Sequence, residues 1–369
     1  MKTRFFCFLS IAFLCVFVKE VHAQNIRIID SIAFNLHLQV HTAYFSGQAE
    51  LGENVPRFGT LISRKVGNKT SAFGKLEYGL NLARGTQFNN NANSPSEFVS
   101  DPFQEPEPFS LRLAYLGIAH EILGAISLGK QWGVYYDVGQ FTDNFTVFGS
   151  SAADVYAGNT DGGWKGTGRA DEAVVYRNRI GKFQIGLQTQ LFGSHTNFGS
   201  SLTYAFSDRL KAGVAFNHAE IPGNFRQLVN GLNGNSNTFI AGYGYNDDKL
   251  YSGLTFAVIE HEYLRIDDET LIAFPVCGVE FLNRYAIHAR VKIEGGFNYK
   301  WQRGDVAALD ENYRLLQFYA GLNYYFGNMF SIYLQGRLDQ SRKVVFPNNT
   351  DVILLGLSFD LNKSIDLFN

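Results

Sequence analysis

The sequence is poor in cysteine, proline and methionine, and after residue 23 it has no long apolar run. Its 369 residues include 3 Cys, 8 Pro and 2 Met. Cys7 and Cys15 lie near the N-terminus, so the rest of the chain keeps only Cys277 and no internal disulfide framework. A single buried thiol in a strand is the expected role of Cys277. No stretch beyond residue 23 has the roughly 18 consecutive apolar residues of a membrane span, which excludes spanning helices. A formal net charge of −2 gives no bulk electrostatic reason to bind nucleic acid.

Met1 to Ala23 reads as a secretory signal. Lys2 and Arg4 form a positive start, Phe5 to Val18 an apolar run, and Val21, His22 and Ala23 a small-residue cleavage site. The expected mature unit is 24–369, without a linker that would split it.

What the chain does have is aromatic residues, 33 Phe and 19 Tyr, and alternation. In Ile32–Val40, apolar Ile32, Phe34, Leu36, Leu38 and Val40 alternate with Ala33, Asn35, His37 and Gln39. In Leu316–Phe326, Leu316, Phe318, Ala320, Leu322, Tyr324 and Phe326 alternate with Gln317, Tyr319, Gly321, Asn323 and Tyr325. A period of two gives one wet face and one apolar face. Sixteen such segments are expected, near 32–45, 57–66, 72–84, 109–119, 123–132, 171–178, 182–192, 198–206, 210–218, 236–246, 249–260, 270–282, 284–301, 313–327, 329–340 and 351–361. Many are long enough to cross a bilayer at a tilt of ~45°.

The connections alternate between long and short. Ser46–Pro56 is long and Gly67–Ser71 short. Gly85–Pro108 is long and His120–Ile122 short. The stretch 133–170 is the longest, and Asp247–Asp248, Asn283 and Asn328 are tight turns. Long outer loops and tight inner turns belong to antiparallel outer-membrane barrels, and an even strand number closes every edge. A soluble secreted β-protein is the competing class and has no reason for this rhythm. The expected fold is all-β, a sixteen-stranded antiparallel transmembrane barrel. Connection 133–170 is too long to be idle, so it is expected to be functional or disordered.

The central block resembles the trimeric general diffusion porins of Gram-negative outer membranes. "RLAYLGIAHEILGAISLGKQWGVYYDV", "FTDNFTVFG" and "GRADEAVVYRN" match that family's fourth and fifth strands, inward-folded third loop and sixth strand, in order. "PRFGTLISRKVGNKTSAFGKLEYGLNL" matches its second and third strands more weakly. The resemblance implies a homotrimer with a lumen through each subunit, into which 133–170 folds as a constriction loop. It implies a basic constriction wall of Arg57, Arg112, Lys130 and Arg169. The facing loop supplies Asp143, with Phe148 and Gly149 at its tip and Asp137 and Asp154 as further carboxylates. Val147 stands where the family commonly carries a loop carboxylate, so weaker cation selectivity is expected. The family usually ends on an aromatic residue, whereas this chain continues eight residues past Leu361.

Parity bears on Arg112 independently. Phe109, Leu111, Leu113 and Tyr115 read as one apolar face, which turns Arg112 to the lumen. "EHEYLRIDDE" gathers Glu260, Glu262, Asp267, Asp268 and Glu269 on an expected outer loop. His37 and His41 fall on the wet face of the first segment. No metal, cofactor or nucleic-acid partner is expected. The expected partners are small hydrophilic solutes and ions, together with outer-membrane lipid and lipopolysaccharide. A solute-specific anion or sugar channel is the alternative within the same class. An outer-membrane barrel enzyme is a distant one, since no strand register assembles a Ser/His or Asp/His group; an adhesin is another.

Overall fold

The computed structural model describes residues 29–83, 86, 88, 108–149, 151–153, 168–192, 195–221, 223–266, 270–309, 311–344 and 349–366. Its strands are β1 (Ser31–Phe45), β2 (Gln48–Glu53), β3 (Arg57–Gly67), β4 (Thr70–Leu80), β5 (Phe109–His120), β6 (Gly124–Trp132), β7 (Arg169–Ile180), β8 (Phe183–Phe192) and β9 (His195–Ala205). They continue as β10 (Leu210–Glu220), β11 (Asn235–Asn246), β12 (Leu250–Arg265), β13 (Leu271–His288), β14 (Val291–Gln302), β15 (Arg314–Phe326), β16 (Phe330–Asp339) and β17 (Val352–Asp366). All ladders between them are antiparallel, and consecutive strands are neighbours. β2 pairs with the second half of β1 and β3 with the first half, so the two are one strand broken at Asn54–Pro56. Counted so, sixteen strands form the wall. β1 also pairs with β17, which closes the sheet into a barrel without a free edge.

The alternation read from the sequence is the alternation of the wall. In β15, Phe318, Leu322, Tyr324 and Phe326 are exposed outward, while Gln317, Tyr319 and Asn323 are buried on the other face. In a bilayer the outward set faces acyl chains, so its exposure in the isolated chain is the expected state of a barrel.

Three expectations about connections are corrected. Ser46–Pro56 is not a long loop: Ser46 and Gly47 make a tight turn and β2 returns along β1. Asn283 is not a turn but lies inside β13, opposite Ser252 and Gly295, and the turn falls after His288. β12 runs on to Arg265, which shortens the expected outer loop there. Pro275 survives within β13 because β12 bulges between Ile259 and Glu262. The proline sits opposite the bulge, where no ladder bond asks for its missing N–H.

A second bulge corrects the parity of β5. Leu111 pairs with Tyr78 and Leu113 with Glu77, so the register slips at Arg112. Leu111, Leu116 and Ile118 face outward, whereas Leu113 is buried. Leu113 and Tyr115 therefore do not share the lipid face with Leu111. Cys277 is a buried thiol in β13.

Candidate functional site

The segment that follows β6 is tied down from its first residues. Gly133 N–H donates to the Gly168 carbonyl at 2.9 Å, which ties the segment's start to the residue before β7. One helical turn, Tyr136–Gly139, comes next. The Tyr136 ring stacks on Trp132 with centroids 4.2 Å apart. Its hydroxyl donates to Asp143 Oδ2 at 2.5 Å. Burial, helped by the Asp143 carboxylate, pushes the Tyr136 phenol well above its ordinary value, so it remains a donor. Asp137 is buried and fully engaged. Arg177 on β7 reaches its Oδ1 at 3.1 Å, and the Ser201 hydroxyl on β9 donates to its Oδ2 at 2.7 Å. Asp137 is thus an anchor of the segment.

The next stretch, Phe141–Ala153, lies against strands far from its own. Tyr135, Val138, Phe141 and Ala153 pack with Ile240, Ala257, Ile259, Phe274 and Val276 from β11, β12 and β13. The approach is close enough to need glycine in the wall. A Cβ on Gly253 would fall 1.9 Å from the Phe141 carbonyl oxygen, and one on Gly278 would fall 1.8 Å from that of Ala152. Glu280 then acts as a clamp. It accepts from the backbone N–H of Ala152 at 2.7 Å and of Ala153 at 3.1 Å, and from the Thr142 hydroxyl at 2.7 Å. Hydrogen bonds to a charged acceptor contribute ~1.5–3 kcal/mol each.

Thr146 ties the stretch to the wall through both its backbone and its side chain. Its N–H donates to Glu294 Oε1 on β14 at 3.0 Å, and its hydroxyl donates to Asn323 on β15 at 3.2 Å. Its carbonyl accepts from Gln39 on β1 at 2.9 Å and from Asn54 at 2.8 Å. Arg284 completes this end, pairing with Glu294 at 2.9 Å and donating to the Asn144 carbonyl. Phe145, Val147 and Phe148 enter a second apolar cluster with Phe45, Phe88, Leu282, Tyr319, Tyr333 and Leu354. The Phe148 ring stacks on Tyr319 at 5.3 Å, and the Arg337 guanidinium lies 5.5 Å over it. Gly149 follows immediately, and a Cβ there would meet the Phe145 ring at 2.9 Å.

The basic residues fall into two sets. Arg112 is 1% exposed, and its Nε donates to Glu77 Oε1 on β4 at 3.1 Å. Lys75 reaches the same carboxylate at 3.5 Å. Arg57, at the start of β3, donates to the Val55 carbonyl at 3.0 Å. Arg57 on β3 and Arg169 on β7 both act electrostatically on Arg112 on β5. Glu77 offsets part of their mutual repulsion. Lys130 is placed differently. The ladder between β5 and β6 is regular there, with Leu116 opposite Leu128 and Ala114 opposite Lys130. Lys130 therefore shares the outward side with the exposed Leu128, and it ion-pairs with Asp171 at 2.9 Å. The expected place of Lys130 beside the arginines is corrected on this ground. Asp154 lies outside the described residues.

Other residues move as well. Glu262 is not on a loop but in β12, where it pairs with Lys300 at 2.9 Å. Glu260, also in β12, accepts from Asn237, and Asp267 to Glu269 lie outside the described residues. His37 and His41 keep the side that parity gave them, with His41 buried. Sequence reasoning did not single out Glu77, Arg177, Glu280 or Glu294. The signal was available: Glu77 stands between apolar Leu76 and Tyr78, and Glu280 between Val279 and Phe281, so each carboxylate falls on the wet face.

Residues 21–368 match the family described as Gram-negative porin. The chain belongs to that family. Among curated porins, it is 24% identical over 275 residues to outer membrane porin PhoE of Escherichia coli, spanning 67% of this chain and 72% of PhoE. It is 23% identical over 259 residues to outer membrane porin protein OmpD of Salmonella typhimurium, a match covering 64% of either chain. Among solved structures, Salmonella typhi OmpF in complex with daunomycin superposes with a TM-score of 0.72 at 16% identity, covering 89% of this porin and 97% of OmpF. The barrel is thus an outer-membrane porin barrel, as the alternation and the central block had indicated.

Proposed function

We propose that this porin lets small hydrophilic solutes and ions diffuse through a water-filled barrel, and that the segment from Gly133 folds into the barrel to narrow it. The single observation that carries the second part is Thr146. It belongs to the connection between β6 and β7, yet it bonds to β1, β14 and β15. Of these, β14 and β15 lie on the far part of the closed ring, and Gln39 and Asn323 belong to the buried polar face. A segment held there narrows the opening left to solutes.

Selectivity follows from the charges on its two sides. Arg57, Arg112 and Arg169 form the basic wall of this proposal, with Lys130 left out. On the loop side Asp143 remains, while Val147 is packed in the apolar cluster and Asp137 is spent on Arg177 and Ser201. A weaker negative face opposite retained arginines gives a pore with low cation preference.

We further propose a homotrimer. On the periplasmic half of β4 to β6 the outward residues are small or aliphatic: Ala72, Gly74, Leu116, Ile118, Ile126 and Leu128. Elsewhere the outer face carries rings such as Phe183, Phe239 and Phe318, suited to lipid and lipopolysaccharide. A smooth ring-free patch suits contact with another copy.

Planar-bilayer recording tests the reading. Stepwise conductance that rises with salt and shows little saturation is expected. A plateau for one solute would replace general diffusion with a solute-specific channel. Absence of any conductance would overturn both.

A further inference from the structure

The strongest unassigned feature is the start of the connection between β4 and β5. Its backbone is gathered by two carboxylates of β2. Leu82 and Ala83 donate their N–H groups to Glu53 Oε2 at 2.6 and 2.8 Å. Thr86 donates its N–H to Glu50 Oε1 at 2.6 Å and its hydroxyl to Glu50 Oε2 at 3.1 Å. Glu50 lies on the inner side of β2: it stands opposite the buried Ala43, while its neighbour Leu51 is exposed on the outer side. A Cβ on Gly52 would fall 3.4 Å from the Thr86 carbonyl oxygen, so this stretch passes close over the β2 backbone. Phe88, 4% exposed, then joins the apolar cluster that holds Phe148. Its neighbours Ala43, Phe45, Tyr333 and Leu354 lie on the buried face of the wall, opposite the exposed Tyr44, Leu334 and Ile353. The Phe88 ring therefore stands inside the barrel. It meets Phe45 edge-on at 5.5 Å and Phe148 edge-on at 6.0 Å. The Arg337 guanidinium from β16 lies 5.3 Å from the Phe88 centroid and 5.5 Å from that of Phe148. The Thr350 carbonyl holds that guanidinium, accepting from its Nε at 3.1 Å and its Nη2 at 3.0 Å. One cation thus clasps a ring from each of two connections.

We propose that Leu82, Ala83, Thr86 and Phe88 belong to a second lumen segment, and that Phe88 is a positioning residue for the constriction. With Arg337 it backs the Phe148 ring and sets how far that ring stands from the wall. The proposal rests on the reading that the segment from Gly133 narrows the channel. Phe148 has a second support in Tyr319, stacked on it at 5.3 Å, so losing Phe88 should displace the ring without releasing it. Removing the Phe88 ring leaves a void between Phe148 and Phe45, in a cluster whose members can close it only by moving. Phe148 then shifts toward Phe45, and the opening left to solutes grows. The carboxylates of Glu50 and Glu53 bear on the same opening, because they fix the backbone that delivers Phe88 to the cluster.

The test is the size limit of the pore, read by liposome swelling with uncharged sugars of increasing size and by single-channel conductance of the full chain. Phe88→Ala should admit larger sugars and conduct more than the unaltered protein. Phe88→Leu, which refills the space, should restore most of the limit. Phe148→Ala should raise the limit as well, and the double variant should add little to either alone, because rings in contact act as a unit. If Phe88→Ala fails to fold, Glu50→Ala serves. It removes both Thr86 bonds without touching a ring, and it should raise the limit too. Phe183→Ala, on the exposed outer face, controls for a general loss of barrel stability and should leave the limit where it was. An unchanged limit in Phe88→Ala, or in Glu50→Ala in its place, beside a raised limit in Phe148→Ala would overturn the proposal alone. So would fully additive effects of the two ring variants. An unchanged limit in Phe148→Ala would instead overturn the reading that the segment from Gly133 narrows the channel.

Discussion

At the scale of single residues, the decisive pair is Arg112 and Glu77. Three arginines in one place repel, and a carboxylate that bonds Arg112 at 3.1 Å offsets the repulsion locally. Arg112→Ser removes one positive charge from the wall and leaves Glu77 with Lys75 and Asn35 as its side-chain partners. The expected result is a reversal potential shifted toward cations and a stability loss of about 1–3 kcal/mol, the usual cost of leaving a buried partner unpaired. Glu77→Gln should shift the potential the other way, and the double variant should fall between them. Bilayer recording with heat-shift electrophoresis reads both quantities; an unchanged potential in Arg112→Ser would take it out of the constriction. The sequence made Arg112 legible because it alternates with Phe109 and Leu111. Its partner was less so, since nothing in one strand says which carboxylate of the next will meet it. The bulge at Arg112 decides that, by slipping Leu113 onto Glu77. Lys130 misled for the opposite reason. A motif match carried it to the wall, while plain alternation with Leu128 turned it outward.

At the scale of elements, the segment depends on missing side chains as much as on bonds. Gly278 and Gly253 let carbonyls come within contact of the β13 and β12 backbone. Gly278→Ala places a methyl where the Ala152 oxygen now lies, so the clamp at Glu280 must open. The expected outcome is noisier current and faster proteolysis within 141–153. Gly336→Ala is the control, because its nearest neighbour would be 3.9 Å away; equal behaviour of the two variants would exclude a packing cause. Turns have their own chemistry. Between β11 and β12, Asp247 accepts from the N–H groups of Lys249 and Leu250 and from the Tyr245 hydroxyl. The Leu250 bond first, then the other two, hold its carboxyl down at about 2. Its folded value is depressed, so its support of the turn is complete above the ordinary carboxylate range and is lost as pH falls through about 2. Carboxyl shifts of Asp247 should titrate there, and Asp247→Asn should speed amide exchange at Leu250. These hairpin elements were largely legible: strict alternation gave β15, and the short turns were right at Asn328 and Asp247. β2 and the end of β13 were not, because Gly52, Pro56 and Asn283 read as loop chemistry. Their neighbours across the ladder supply the pairing that local propensity does not.

At the scale of the whole molecule, closure is a property of the two ends of the chain. β1 and β17 pair through fourteen residues, from Ser31 opposite Asp366 to Tyr44 opposite Ile353. Asn362 to Asp366, which the sequence marks only as a departure from the family's usual ending, are therefore part of the wall. Asn362 to Asp366 complete β17 against Asn35 to Ser31, while β16 stops short, pairing no further than Phe330 with Phe359. Ending the chain at Leu361 would delete those five pairs from the seam. β1 would keep its ladder to β3 from Ser31 to His37, so the barrel should still form. A ladder bond contributes ~0.5–1.5 kcal/mol net, and the loss should lower the temperature at which the folded band converts to the unfolded one in electrophoresis. Arg57, Arg112, Arg169 and Asp143 all lie outside the deleted residues, so conductance should be unchanged. A truncated chain that converts at the same temperature would show that closure is complete by Leu361. One that never yields a folded band would show that the extension is needed to close the seam at all. A lowered conversion temperature with normal conductance fits an extension that fastens the two termini on one side of the membrane and leaves the constriction to the strands above it.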